Sequence, residues 1–156
     1  MKIGIPKEIK DQEGRVAMTP AGVQRLCGEG HSVVVETDAG LEAGFSNQHY
    51  QAAGAVLVTA EEAWATDLVV KVKEPLPAEY PHLKGQLVFT FFHLAGVTPS
   101  LTEALLASGT TAIAYETLED DHGRLPILAP MSAIAGNMAT LMGAYYLAKP
   151  NQGKGL

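Results

Sequence analysis

Residues 68–76 read LVVKVKEPL. Val69, Val70 and Val72 are β-branched and Pro75 cannot continue a sheet ladder, so the stretch reads as a strand with a built-in stop. Two lysines interrupt it, Lys71 and Lys73. A lysine is rarely fully buried unless something pairs with it. The pair is therefore either a solvated strand face or the mark of a place where a negatively charged molecule binds. Two positions apart in a strand, the two side chains are expected to share a face.

Working outward, short apolar runs alternate with capped amphipathic runs. KIGI (2–5) reads as the first strand. Thr19 and Pro20 form an N-cap and first-turn pair for a helix that stops near Gly28 or Gly30. HSVVVE (31–36) is a second strand. Ser46 opens a helix ending at Gly54, and AVLV (55–58) follows as a third strand. Thr59 with Glu62 fits a capping box. DLVVKVK (67–73) and QLVFTF (86–91) are the fourth and fifth strands. Thr98 and Pro99 open a helix closed by Gly109, TTAIAYE (110–116) is the sixth strand, and DDHG (120–123) is a turn. Pro126 and Pro130 break the apolar segment that follows, so a long helix is expected after Ser132, buried rather than membrane-spanning. Gly136 and Gly143, seven apart, are expected to let it approach another element closely. Strands separated by helices predict an α/β fold with a mainly parallel sheet and helices on both faces.

The 156 residues are 47% apolar and 18% charged, a globular mix, with a formal net charge of −6. Without a basic run, that charge argues against nucleic acid and against an anionic membrane surface. A single cysteine, Cys27, has no internal partner, which predicts a reducing, cytoplasmic compartment. The scattered histidines give no metal-ligand spacing, so no metal is expected.

In open parallel sheets, ligands bind outside the carboxyl ends of the strands. Four unusual groups fall there: Arg15 after the first strand, Lys73 at the end of the fourth, His93 just past the fifth, and Tyr115 with Glu116 closing the sixth. Each also has an ordinary reading, as a loop arginine, a solvated strand-end lysine, a packed or surface histidine and a surface-paired glutamate. If they converge, arginine offers a planar fork for a carboxylate, lysine a compact charge for a carboxylate or carbonyl oxygen, and histidine a proton acceptor near neutral pH. That set fits a small 2-oxo or 2-amino acid. No G-x-G-x-x-G follows a strand, so the dinucleotide fingerprint is missing.

Five ordered blocks, MKIGIPKEIKDQEGRVAMTPAGV (1–23), VVKVKEPLPAEY (69–80), FTFFHLA (89–95), AIAYET (112–117) and LPILAPMSAIAG (125–136), closely resemble the N-terminal part of bacterial alanine dehydrogenases. The α subunit of proton-translocating transhydrogenase is a more distant relative. The resemblance implies a Rossmann-like substrate domain and NAD-dependent, reversible oxidative deamination of L-alanine to pyruvate and ammonia. It implies that Arg15, in the E-x-R-V-A block, and Lys73, the second lysine of KVKEP, bind substrate. It makes His93 the acid–base residue, sets Ser132 against the dinucleotide and Met131 near the nicotinamide, and implies a homo-oligomer, commonly a hexamer. The chain departs from the family at Gly14, where a bulky residue is frequent, and at Ala133 and Asn137, where glutamate and arginine are frequent.

The expected organisation is a substrate domain over residues 1–130, an interdomain helix over 131–150, and a linker over 151–156 leading toward an NAD-binding domain. The isolated chain is expected to lack turnover. The competing readings are a domain like that of the transhydrogenase α subunit and a non-catalytic binding or assembly module that keeps the fold.

Overall fold

A computed structural model describes residues 1–155 of the chain. Its elements are β1 (Lys2–Ile5), α1 (Pro20–Gly28), β2 (Ser32–Glu36), α2 (Asn47–Ala52), β3 (Val56–Val58), α3 (Ala60–Trp64), β4 (Leu68–Lys73), β5 (Leu87–Phe91), α4 (Pro99–Ser108), β6 (Thr111–Ala114) and α5 (Ala129–Leu147). The six strands form one sheet in the order β3-β2-β1-β4-β5-β6, and every neighbouring pair is parallel. The order reverses between β1 and β4, so the crevice beyond their carboxyl ends is the switch point where such sheets take ligands.

The starts of α1, α2 and α3 follow from side chains that satisfy orphan backbone donors, whereas α4 and α5 begin without a side-chain cap bond. Thr19 accepts from the Gly22 amide, with Pro20 in the first turn of α1. Ser46 and Thr59 form capping boxes with His49 and Glu62. Ile3, Gly4 and Ile5 are buried in succession, as are Val33, Val34 and Val35. Successive strand residues point to opposite faces, so burial of consecutive positions requires cover on both.

On one face, Val69 and Val88 are register partners in a cluster with Trp64, Leu83, Phe92, Leu101 and Leu105. Gly4 lies level with Val69, and α3 passes so close that a Cβ there would stand 1.8 Å from the Ala63 carbonyl oxygen. Glycine is required at this crossing because only a bare Cα fits beneath the helix backbone.

The chain divides into two compact units, one ending at Ala114 and the other beginning at Tyr115. Three expectations change in and near the second unit. The sixth strand stops at Ala114, and Tyr115 and Glu116 belong to a 3-10 turn, Tyr115–Thr117, rather than to the strand. The long helix begins at Ala129, not after Ser132. Pro130 sits in its first turn, where an amide has no intrahelical partner and proline removes nothing.

That helix, α5, is also not buried. Ile134, Leu141 and Tyr146 are 60%, 70% and 64% exposed, and a Cβ at Gly136 or Gly143 would meet nothing. An apolar composition without charge therefore does not mark burial within this chain. Among the described residues, no helix is long and apolar enough to cross a membrane. The expected linker, 151–156, starts at the last residue of a 3-10 turn, Lys149–Asn151, and its final residue, Leu156, lies outside the described residues.

Candidate functional site

The loop from Pro6 to Thr19 leaves β1 at the switch point and ties itself to the end of β4. Glu8 Oε1 accepts hydrogen bonds from the Val72 amide at 2.6 Å and the Lys73 amide at 3.4 Å. Lys10 pairs with Glu74. Further along the loop, Arg15 donates from Nε and Nη2 to the two oxygens of Glu13, at 2.7 and 2.6 Å. This fork holds the Glu13 carboxyl below its usual range, chiefly through the hydrogen bond from Arg15, with the positive charge of Lys73 acting in the same direction. It raises Arg15 reciprocally, with the Glu8 charge contributing. Arg15, Glu13, Glu8 and Lys73 thus share one electrostatic neighbourhood.

The two lysines of LVVKVKEPL separate. Lys71 is fully buried. Its Nζ lies 2.7 Å from Glu79 Oε1, 3.2 Å from Glu8 Oε2, and 5.7 Å from the centre of the Trp64 ring. Lys73 is only half-buried. Shared-face alternation fails because β4 is irregular here: Val70 pairs with Phe89 and Lys73 with Phe91, so β4 spends three residues where β5 spends two. An extra residue flips the alternation and re-aims the side chain that follows. Burial in the low-dielectric interior pushes the Glu8 carboxyl above its usual range, against the pull of Lys71 and of the Val72 amide.

His93 stands two residues past Phe91, the register partner of Lys73, on the neighbouring strand's end. Its backbone is left-handed, at φ 45° and ψ 44°. That region is uncommon for a side-chain-bearing residue and costs about 1–3 kcal/mol, and such residues cluster at functional sites. The imidazole folds back over Gly96, where a Cβ would lie 2.4 Å from His93 Cδ2 and Nε2. His93 is exposed.

Lys73 thus ends β4, while Arg15 and His93 lie in the segments that follow the carboxyl ends of its two sheet neighbours, β1 and β5. Tyr115 and Glu116 follow β6, and Met131 and Ser132 lie in the first turn of α5. These four belong to the second unit, where Tyr115 is buried and Ser132 exposed. Sequence reasoning missed the carboxylates Glu8, Glu13 and Glu79. The available signal was Lys71 itself, since a lysine inside a β-branched run demands a partner, but the run does not say which glutamate answers.

The rim does not fit a dinucleotide pyrophosphate. The β1–α1 loop carries Pro6, Lys7 and Glu8 where a glycine turn would be needed, and two carboxylates, Glu8 and Glu13, add negative charge to the same loop. Among the described residues, no group of three or more His, Cys, Asp or Glu side chains could hold a metal ion.

Comparison with known proteins gives a consistent result. Residues 4–135 match the family described as alanine dehydrogenase/PNT, N-terminal domain. The chain is 52% identical over 158 residues to alanine dehydrogenase of Bacillus subtilis (strain 168), covering all of this chain and 41% of that protein. It is 50% identical over 159 residues to alanine dehydrogenase of Mycobacterium tuberculosis (strain CDC 1551 / Oshkosh), covering 43% of it. A solved L-alanine dehydrogenase superposes over the whole chain and 44% of its own length, with a TM-score of 0.90 at 51% identity. A transhydrogenase structure from Sinorhizobium meliloti gives 0.71 at 32% identity over 76% of this chain and 34% of its own. The chain spans less than half the length of the curated relatives it matches.

Proposed function

The chain belongs to the alanine dehydrogenase/PNT N-terminal domain family, and from that premise we propose that it is the substrate domain of an NAD-dependent alanine dehydrogenase. The reaction is the reversible oxidative deamination of L-alanine to pyruvate and ammonia. The observation that supports it is that a loop arginine, a strand-end lysine and a histidine in left-handed backbone follow the carboxyl ends of three adjacent parallel strands, β1, β4 and β5. Relatives near 50% identity carry the alanine dehydrogenase name, whereas the transhydrogenase likeness is weaker and covers less of the chain.

In this reading, Arg15 takes the substrate carboxylate, for which its planar guanidinium is shaped. Lys73 places its ammonium on the carboxylate or the carbonyl oxygen, stabilising the negative charge there. His93 takes and returns the proton exchanged when water adds to the substrate carbon and ammonia leaves. Dinucleotide chemistry is assigned no step at this rim, where the residues do not fit the pyrophosphate. Contacts to NAD from this chain fall to Ser132 and Met131. Residues 1–130 serve as the substrate domain, 131–150 as an interdomain helix and 151–156 as a linker. The assembly is a cytoplasmic homo-oligomer, a hexamer.

The test is a chimera in which this chain replaces the matching N-terminal part of the Bacillus subtilis enzyme. Lys73→Ala in that chimera is expected to lower kcat/KM for pyruvate about tenfold to a hundredfold, the loss of a charge-assisted contact of about 1.5–3 kcal/mol. A change within about twofold would return Lys73 to the solvated strand surface.

A further inference from the structure

Glu8 and Lys71 have no part in the chemistry above, yet both are buried directly at the switch point, 8% and 0% exposed. The topology explains the place. β1 pairs with β4 only as far as Gly4 opposite Val69, and with β2 one residue further, at Ile5 opposite Val35. Past that level β1 peels away, and β4 continues to Lys73 without it. Backbone donors left by a departing strand need another acceptor. Glu8 supplies it: one oxygen takes the Val72 and Lys73 amides while the other faces the Lys71 ammonium. Lys71 also binds Glu79, whose second oxygen accepts from the Leu76 amide at 2.8 Å. One ammonium therefore ties together the β1 loop, β4 and the segment after β4.

We propose that Glu8 is a positioning residue for substrate binding: its carboxylate takes the place of β1 backbone beside β4, and so fixes the peptide that carries Lys73 against the loop that carries Arg15. This rests on the reading of Arg15 and Lys73 as substrate ligands. Lysine is a point charge on a flexible four-carbon stem, so the fold controls its reach mainly through where the Cα sits and which way the peptide faces. At the irregular end of β4 the regular ladder does not set that direction, and the Glu8 carboxylate does. The Lys10–Glu74 pair holds the same loop to the same strand end one step further out.

The test compares two conservative variants in the chimera described above. Glu8→Asp keeps the charge beside Lys71 but withdraws the oxygen from the Val72 amide. Glu8→Gln keeps an acceptor oxygen for the Val72 amide, while its NH2 replaces the carboxylate oxygen beside Lys71, whose ammonium retains Glu79. Positioning predicts that Glu8→Asp raises KM for pyruvate about tenfold with kcat within about threefold, and that Glu8→Gln raises KM clearly less. In the 156-residue chain, amide exchange at Val72 should speed up in Glu8→Asp and not in Glu8→Gln, with Val69 and Val70 unchanged as internal controls. The reverse order of the two variants, or parental KM in both, overturns the proposal and leaves Glu8 a counter-charge for Lys71. If Arg15→Ala and Lys73→Ala also leave KM unchanged, the substrate-site reading falls first and takes this proposal with it. If they raise KM while Glu8→Asp does not, only the positioning role is lost.

Discussion

Lys71 and Lys73 carry the same side chain two positions apart and meet opposite surroundings. Lys71 answers two buried carboxylates, while Lys73 stays half-exposed at the strand end. Glu8 and Glu13 sit on one loop and are displaced in opposite directions, which gives a pH signature. The Glu8 carboxyl is raised from an ordinary 4.5, so the folded state keeps that proton longer than the unfolded chain. Its contribution to stability therefore declines as pH rises from about 4.5 through the elevated folded value. Glu13 is lowered, so its contribution is complete above its ordinary value and disappears as pH falls through the depressed folded one. Urea unfolding followed from acid to neutral pH should show Glu8→Gln removing the first slope and Glu13→Gln the second. Parallel curves for parent and variants would contradict both shifts. At His93, His93→Ala in the chimera is expected to lower kcat by about 10²–10⁴, the usual span for a positioned acid–base group, and to affect pyruvate binding less. Measuring kcat against pH on the folded fraction checks this. A packing histidine would leave kcat and its pH profile unchanged while lowering stability.

Among the elements, the crossing of β1 and α3 has the least tolerance. Gly4→Ala would place a methyl group 1.8 Å from the Ala63 carbonyl oxygen and 2.7 Å from Thr66 Oγ1. The first of these is helix backbone, which cannot swing aside, so α3 must lift off the sheet and loosen Trp64 in its cluster. Overpacking of this kind costs about 1–3 kcal/mol and here should reach the upper end. Equilibrium denaturation would read it directly, and a loss under about 0.5 kcal/mol would mean the helix yields easily. The elements also show what their own sequences signal. α1, α2 and α3 announce themselves by Thr19, Ser46 and Thr59, because a cap is a local hydrogen bond between residues three apart. α5 does not, because Pro130 is a breaker inside a helix and harmless in its first turn. The end of β6 was equally hidden, since TTAIAYE is uniformly strand-like and only the neighbouring strand decides where pairing stops.

For the whole molecule, the first unit carries Arg15, Lys73 and His93, whereas the loop at its switch point carries carboxylates in place of a glycine turn. Purified alone, the 156-residue chain is therefore expected to show no alanine-dependent NAD reduction. The chimera with the remainder of the Bacillus subtilis enzyme should show it. Turnover by the isolated chain, free of longer enzyme, would contradict this. The sequence by itself determined the element order, the parallel α/β class, the caps, and the family, since each rests on local periodicity or on ordered blocks of residues. It also named Arg15, Lys73 and His93 as candidates for the site. Only the tertiary structure decided that Lys71 is a buried tie and not a second rim cation, that Glu8 stands where β1 leaves β4, and that α5 lies exposed. The reason is physical: a strand's alternation is local until an irregular pairing with its neighbour shifts it. Which carboxylate meets a buried ammonium depends on how distant segments close around it, and no spacing along the chain encodes that distance.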